Sequence, residues 1–194
     1  MGRIPSKGFK VGHSFRGLRT RPTLRNWKLG ANSCMSDSMA QESSEIQDTI
    51  RRVLERNRLA VLSTQLNGQP HASLIAFTPL EGLRLLVFAT YRSTLKYKSI
   101  LEDRRLAILI EDREGDATMR SDQRLFLTAI GEAIQTPAEV RQVYIRTHLA
   151  RHPNLENFLT SPDCEFVLVA VHSYQVVSSI DDVRWYRLSK SAAT

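Results

Sequence analysis

Two runs of strand length joined by an Asn-Gly pair constrain the fold of this chain more than any other feature. The segments LAVLST (59–64) and QPHASLIAFT (69–78) flank Asn67 and Gly68. An Asn-Gly pair favours the positive φ angles of a two-residue hairpin turn, so the two segments are predicted to pair as antiparallel strands. The fold must therefore bury at least one face of an antiparallel sheet.

The rest of the chain extends this sheet. An amphipathic helix is predicted over 44–57, because Ser44 and Gln47 fit a capping box and apolar residues recur at helical spacing. Gly131 is expected to mark a bulge or bend in a long strand. The other predicted strands are 83–90, 105–112, 124–135, 164–179 and 183–188, and the other predicted helices are 93–102, 136–151 and 154–160. Such hairpin-linked strands with few helices between them favour a mainly β, α+β fold, with an antiparallel sheet closed as a barrel and a few flanking helices.

The first 42 residues differ in composition from the rest. Eight of the 27 Lys and Arg residues lie between Met1 and Cys34, where no acidic residue occurs, and the remaining chain carries 19 cations against 20 acidic residues. The net charge of +7 therefore belongs to this segment, and a nucleic-acid function for the whole chain loses its main support. We expect residues 1–42 to be a disordered basic tail and residues 43–194 to form one domain.

Three explanations of the tail stay open. It has the composition of an organelle transit peptide, or of a basic arm for nucleic acid or acidic lipid. It could also be sequence upstream of the true start, at Met35 or Met39. No apolar run has the length that spans a bilayer, and two widely separated cysteines favour a reducing compartment. We therefore expect a cytoplasmic protein without membrane contact, or an imported one if the tail is a transit peptide.

A cluster of hydroxyl groups and cations follows the third predicted strand. Its members are Thr90, Arg92, Ser93, Thr94 and Lys96, at the expected start of the 93–102 helix. The free N–H groups and the dipole of a helix N-terminus favour a phosphate, to which Lys and Arg add charge-assisted hydrogen bonds. The alternative is a capped surface helix with solvated cations. The Gly-rich fingerprints of common nucleotide sites are absent from the sequence.

The order of these motifs resembles the pyridoxamine 5'-phosphate oxidase-like family of flavin-binding split barrels. The resemblance is carried by the hairpin of LAVLST and QPHAS, then by FAT-x-RST-x-K, then by the strand RLAILIED. It implies a split β-barrel that forms a homodimer and binds FMN at the dimer interface. It also implies that the hydroxyl and cation cluster holds the FMN phosphate, with Lys96 at the position of the family's phosphate lysine.

The resemblance further implies that the second strand runs along the flavin ring. The corresponding residues here are His71, Ala72, Ser73, Leu74 and Ile75. Strand alternation would aim either Ala72, Leu74 and Ala76 or Ser73, Ile75 and Phe77 at the ring, and the sequence leaves both open. His71 is a candidate to lie near the flavin or a substrate. Trp185 is a candidate to cover the flavin from the partner subunit, with a plain core or interface role as the alternative.

Two departures from the family pattern argue against vitamin B6 oxidation. The chain ends in DDVRWYRLSKSAAT without an Arg-x-His ending, and Leu125 or Phe126 stands where the family has a glutamine near the flavin. We therefore expect an FMN-dependent oxidoreductase with an unknown small-molecule substrate or electron donor, unassigned catalytic residues and no metal. The resemblance also allows a deazaflavin. The alternative is a non-catalytic flavin or haem-binding protein, in which haem would take His148, His152 or His172 as its ligand.

Overall fold

The computed structural model describes residues 31–112, 124–136 and 138–189, with side chains from residue 41 onward except at Ala138. The chain divides into two units between Asp37 and Ser38, and the sheet described below lies in the second. The elements are α1 (Ala31–Arg56), β1 (Leu59–Leu66), β2 (Gln69–Pro79), β3 (Leu85–Tyr91), α2 (Leu95–Glu102), β4 (Arg105–Asp112), β5 (Leu125–Ile134), α3 (Ala138–Arg151), a 3-10 turn (Pro153–Leu155), α4 (Glu156–Leu159), β6 (Cys164–Ser179) and β7 (Asp182–Arg187). Within the described ranges, every helix is too short or too polar to cross a membrane.

The strands of the described residues form one antiparallel sheet in the order β3-β2-β1-β4-β5-β6-β7. β6 closes it into a barrel, because one edge of this strand serves two partners. Its first part pairs with β3 from Cys164 to Ala170, and its last part pairs with β7 from Ser173 to Ser179. The predicted mainly β, α+β fold with a split-barrel-like antiparallel sheet is therefore confirmed.

Two local predictions about this sheet are also confirmed. Asn67 and Gly68 have φ angles of 52° and 78°, as the two-residue turn between β1 and β2 requires. At Gly131 the register between β5 and β6 shifts, which is the expected bulge. A Cβ atom at Gly131 would lie 2.1 Å from the carbonyl oxygen of Ala170, so the close approach of the two strands requires glycine.

The predicted start of the first helix at Ser44 is wrong, because α1 already begins at Ala31. The chain has no Gly or Pro between Ala31 and Arg56, so nothing in the backbone ends the helix on the N-terminal side of Ser44. Gln47 donates a 3.4 Å hydrogen bond to the hydroxyl of Ser43 one helical turn earlier, which is a pair within a helix rather than a capping box.

The apolar residues form two layers. The barrel interior is filled by large buried side chains of the six strands β1 to β6, together with the apolar face of α1. These include Leu62, Phe77, Phe88, Ile108, Leu127 and Tyr174. A second cluster lies on the other face of β3 and β6, where Val87, Phe166 and Leu168 pack with Tyr144 of α3 and Leu159 of α4. The helices α3 and α4 therefore cover part of the outer surface of β3.

Candidate functional site

The turn between β3 and α2 places three Ser and Thr hydroxyl groups and two cations within the seven residues 90–96. Thr94 is the N-cap of α2 and accepts a hydrogen bond from the backbone N–H of Tyr97. Its hydroxyl donates to the carbonyl of Tyr91 at 2.7 Å and lies 2.9 Å from the hydroxyl of Thr90. Thr90 is itself buried at the end of β3. The start of α2 is therefore held in a fixed position against β3.

A pocket of about 280 Å³ opens beside this turn. Thr90, Thr94 and Lys96 line it from β3 and α2, and Leu74 and Ile75 line it from β2. The other wall of the pocket is formed by the helices that cover β3. It consists of His148 of α3 and of Leu155 and Phe158 in the segment that follows. Residues that the sequence analysis assigned to the phosphate cluster and to the second strand thus meet in one cavity.

Lys96 is the cation of this pocket. Its Nζ donates a 3.1 Å hydrogen bond to the carbonyl oxygen of Leu74. Among the described residues, this carbonyl is the one acceptor of the ammonium group. Burial lowers the pKa of Lys96 from its ordinary value. An ammonium group can donate three hydrogen bonds, so Lys96 keeps donor capacity for a bound anion.

Arg92 and Ser93 do not line the pocket, because their side chains bind acidic residues elsewhere. Arg92 binds the carboxylate of Glu165 through Nε at 2.9 Å and Nη2 at 2.6 Å, and Ser93 donates to Asp163 at 3.1 Å. Arg141 of α3 binds the other oxygen of Glu165 at 2.9 Å. Burial would raise the pKa of Glu165, but the two guanidinium groups prevail and hold it below its ordinary value. In this arrangement Arg92 ties the β3–α2 turn to β6.

The second strand has one inward and one outward face. Ile75 and Phe77 are buried in the barrel, whereas Leu74 is 63% exposed and Ala72 is also exposed. Ser73 points inward with Ile75, and its hydroxyl is buried without a hydrogen-bond partner in the described structure. A ligand outside the barrel would therefore meet Ala72, Leu74 and Ala76, which is one of the two alternatives that alternation allowed.

His71 and Trp185 are not brought to the pocket within one chain. His71 is half-buried opposite Thr64 near the hairpin end of β2. Trp185 lies on β7 with 53% of its surface exposed, and it lines a separate cavity together with Glu42, Ser43 and Ile46 of α1. Any contact between Trp185 and the pocket described above would have to come from another subunit.

A second, larger cavity of about 510 Å³ lies between α2 and the ends of β5 and β6. Arg104, Thr136 and Arg141 are among its polar residues. None of the residues predicted from the sequence to bind a ligand lines it. The smaller pocket is the better candidate because it combines a desolvated lysine with the N-terminus of α2.

His148 also lines the pocket, a position that was not predicted from the sequence. The side chain is completely buried, and Nδ1 lies 2.8 Å from the hydroxyl of Thr78. His152, one turn later, is also buried and donates from Nε2 to the carbonyl of Phe77 at 2.9 Å. The signal was present in the sequence, since Tyr144, His148 and His152 recur every four residues, which is the spacing of one helical face.

Comparisons with known proteins agree with this fold. The sequence model of the family described as pyridoxamine 5'-phosphate oxidase matches residues 46–177. No curated protein gives a match. Among solved structures, a heme binding protein from Mycobacterium smegmatis superposes with a TM-score of 0.66 at 15% identity, over 73% of this chain and 57% of that chain. The chain thus spans little more than half the length of that protein.

Two further structures match over most of their own length. General Stress Protein 26 from Bacillus anthracis has a TM-score of 0.56 and 17% identity, over 74% of this chain and 98% of that one. A FAD-binding protein from Mesorhizobium loti has a TM-score of 0.53 and 11% identity, over 65% of this chain and 87% of that one. At such low identity these likenesses show the fold alone, whereas the family match covers more than half of the sequence. The chain belongs to the pyridoxamine 5'-phosphate oxidase family.

Proposed function

We propose that the protein binds FMN, with the phosphate in the pocket of Lys96, Thr90 and Thr94, and acts as an oxidoreductase on a small molecule. The observation that carries this proposal is the placement of Lys96. Its ammonium group is partly desolvated at the first turn of α2 and has one acceptor, the carbonyl of Leu74, in the described structure. A phosphate would supply the negative charge that this position lacks.

The donors around Lys96 fit a phosphate. Leu95 and Lys96 are the first two residues of α2, where backbone N–H groups have no preceding helical carbonyl to bind. The hydroxyls of Thr90 and Thr94 now bond to each other and to the carbonyl of Tyr91. Arg92 and Ser93 contribute to the proposed site by fixing the turn to Glu165 and Asp163.

The flavin ring is proposed to lie along the outward face of β2, beside Ala72 and Leu74. When bound, the flavin would supply hydride or electron transfer, and the protein would bind it, orient it and exclude water. The family membership supports a flavin, and the phosphate pocket supports FMN.

A second copy of the chain is proposed to cover this face. Val61 lies directly between Leu74 and Leu109 on three neighbouring strands, and these side chains are 36%, 63% and 38% exposed. A continuous exposed apolar row of this kind is typical of an interface. We propose a homodimer with FMN at this interface, where Trp185 of the partner subunit is a candidate to cover the ring.

The experiment that tests the proposal is spectroscopic. The purified protein should show flavin absorbance, and anaerobic addition of NADH or NADPH should bleach it if a nicotinamide is the donor. Flavin that no tested donor reduces would favour a non-catalytic carrier. A protein that binds no flavin after reconstitution with FMN would contradict the proposal.

Haem binding is the second candidate, because one structural neighbour is a heme binding protein. Of the three histidines considered as ligands, His148 and His152 are buried, whereas His172 is exposed and lies 3.5 Å from Glu132. Among these histidines, His172 is therefore the one that an exposed haem would contact, and His148 is the one that lines the pocket of Lys96. A Soret band that is lost in His172→Ala would support this alternative over FMN.

A further inference from the structure

His148 lines the pocket and its imidazole is buried, but the proposed function gives this side chain no role. The ring lies between the hydroxyl of Thr78 on one side and the edge of Phe166 on another, with ring centroids of His148 and Phe166 5.9 Å apart. Its Nε2 atom is buried and has no hydrogen-bond partner in the described structure. A polar atom left in this state usually costs about 1–3 kcal/mol, so its retention needs an explanation.

The hydrogen bond to Thr78 indicates which ring nitrogen carries the proton. If Thr78 donates to Nδ1, the proton of His148 is on Nε2, and one N–H donor is left without a partner. If Nδ1 donates to Thr78 instead, both the hydroxyl proton of Thr78 and the lone pair of Nε2 lack partners among the described residues. The first arrangement leaves fewer unsatisfied groups and therefore favours a proton on Nε2 of His148, a residue that lines the pocket.

The imidazole is neutral at neutral pH. Burial lowers the pKa of His148 to about 4, and the positive charge of Arg151 and the neighbouring His152 act in the same direction. The group can therefore donate one hydrogen bond to an anion without adding a second positive charge to the pocket that Lys96 also lines.

We propose that His148 is a ligand-binding residue whose Nε2–H donates to an oxygen of the phosphate held by Lys96, and that Thr78 is a positioning residue that fixes the tautomer. Both residues lie outside the 90–96 cluster, on α3 and β2. This inference rests on the proposed FMN function. It adds a hydrogen-bond donor from α3 to the donors that α2 would offer the phosphate. It makes the phosphate, rather than the ribityl chain or the ring, the group that α3 recognises.

The test compares FMN with riboflavin, which lacks the phosphate. His148→Asn places its amide near the Nδ1 position and leaves no donor toward the pocket, whereas His148→Gln reaches the Nε2 position. We expect His148→Asn to weaken FMN binding roughly 10- to 100-fold, the range of a hydrogen bond to a charged group, and His148→Gln to restore much of it. Riboflavin affinity should stay within about twofold of the wild type in both.

Thr78 gives an independent readout. In protein with 15N-labelled histidine, NMR should report a proton on Nε2 of His148 and a shift of that proton when FMN binds. Thr78→Val should change the tautomer signal and weaken FMN binding, while Thr78→Ser should change neither. This pair keeps the inference testable if the substitutions at His148 impair folding.

The outcomes separate the two proposals. If the wild type binds FMN no better than riboflavin, the phosphate pocket fails, and the role of His148 fails with it. If Lys96→Ala loses FMN affinity but His148→Asn and Thr78→Val do not, only the inference about His148 is overturned. Equal losses for FMN and riboflavin in His148→Asn would contradict a phosphate contact.

Discussion

The side chain of Lys96 reaches across from α2 to β2 and donates a 3.1 Å hydrogen bond to the backbone carbonyl of Leu74. This bond joins the two parts of the chain that the family resemblance assigns to one cofactor. Lys96 of α2 and the backbone of β2 are thus in direct contact, although Lys96 and Leu74 are 22 positions apart in the sequence.

Replacement of Lys96 tests the phosphate pocket. Lys96→Ala is expected to weaken FMN binding by roughly 1.5–3 kcal/mol, because it removes a charge-assisted hydrogen bond. Lys98→Ala is the matched control, since Lys98 is an exposed lysine on the same helix. Fluorescence titration with FMN measures both. Unchanged affinity in Lys96→Ala, alone and combined with Arg92→Ala, would rule out this site.

A charge on the apolar row tests the dimer. Leu109→Lys together with Val61→Lys is expected to produce a monomer with weakened FMN binding, because it would bury two ammonium groups in the proposed interface. Leu101→Lys is the control, because Leu101 is 67% exposed on α2 and lies off the sheet. Light scattering gives the mass. Interfaces of obligate homodimers usually bury over roughly 2,000 Å², so a strictly monomeric FMN-loaded wild type would contradict the assembly.

The close approach of β5 and β6 predicts a stability defect. Gly131→Ala is expected to destabilise the fold by about 1–3 kcal/mol, because its Cβ would lie 2.1 Å from the Ala170 carbonyl oxygen and the strands must move apart. Gly82→Ala is the control, since its Cβ would meet no atom within 4 Å and only the positive φ of 58° is strained. Urea denaturation compares them. Equal stability of Gly131→Ala and wild type would mean that the bulge is not tightly packed.

Acid should destabilise the protein through His148. The unfolded histidine takes up a proton near pH 6.5, whereas the folded one, with its pKa lowered to about 4 mainly by burial, does not. Stability is therefore complete above pH 6.5 and falls as the pH is lowered toward 4, by about 3 kcal/mol for this group. His148→Gln cannot titrate and should lose less over this range. Identical pH dependence of the two unfolding curves would argue against a buried neutral imidazole.

The sheet was predictable because each strand carries its own alternation or apolar run, and the Asn67-Gly68 turn sets the register of the first pair. The start of α1 was not, because a capping signature such as Ser44 with Gln47 also occurs inside helices. Phosphate contact by Thr90, Thr94 and Lys96 stays a prediction, although the three residues do line one pocket.

The rest of the site depends on contacts between distant residues. The pairing of Arg92 with Glu165 joins positions 73 apart, so local sequence presents Arg92 as a free cation. His148 lies near a helix end, where histidine is usually solvated, and its burial results from the packing of α3 on β2 and β3. Sequence periodicity could have placed His148 on the inner face of α3, but not in the pocket that Lys96 also lines.

Identification of the bound small molecule tests the central claim most directly. Protein purified without added cofactor, or reconstituted and desalted, would be denatured, and the released ligand would be identified by mass spectrometry and quantified per chain. We expect FMN, close to one per chain in the wild type and much less in Lys96→Ala. Haem, a deazaflavin or riboflavin in place of FMN, or equal FMN retention by Lys96→Ala, would contradict the account.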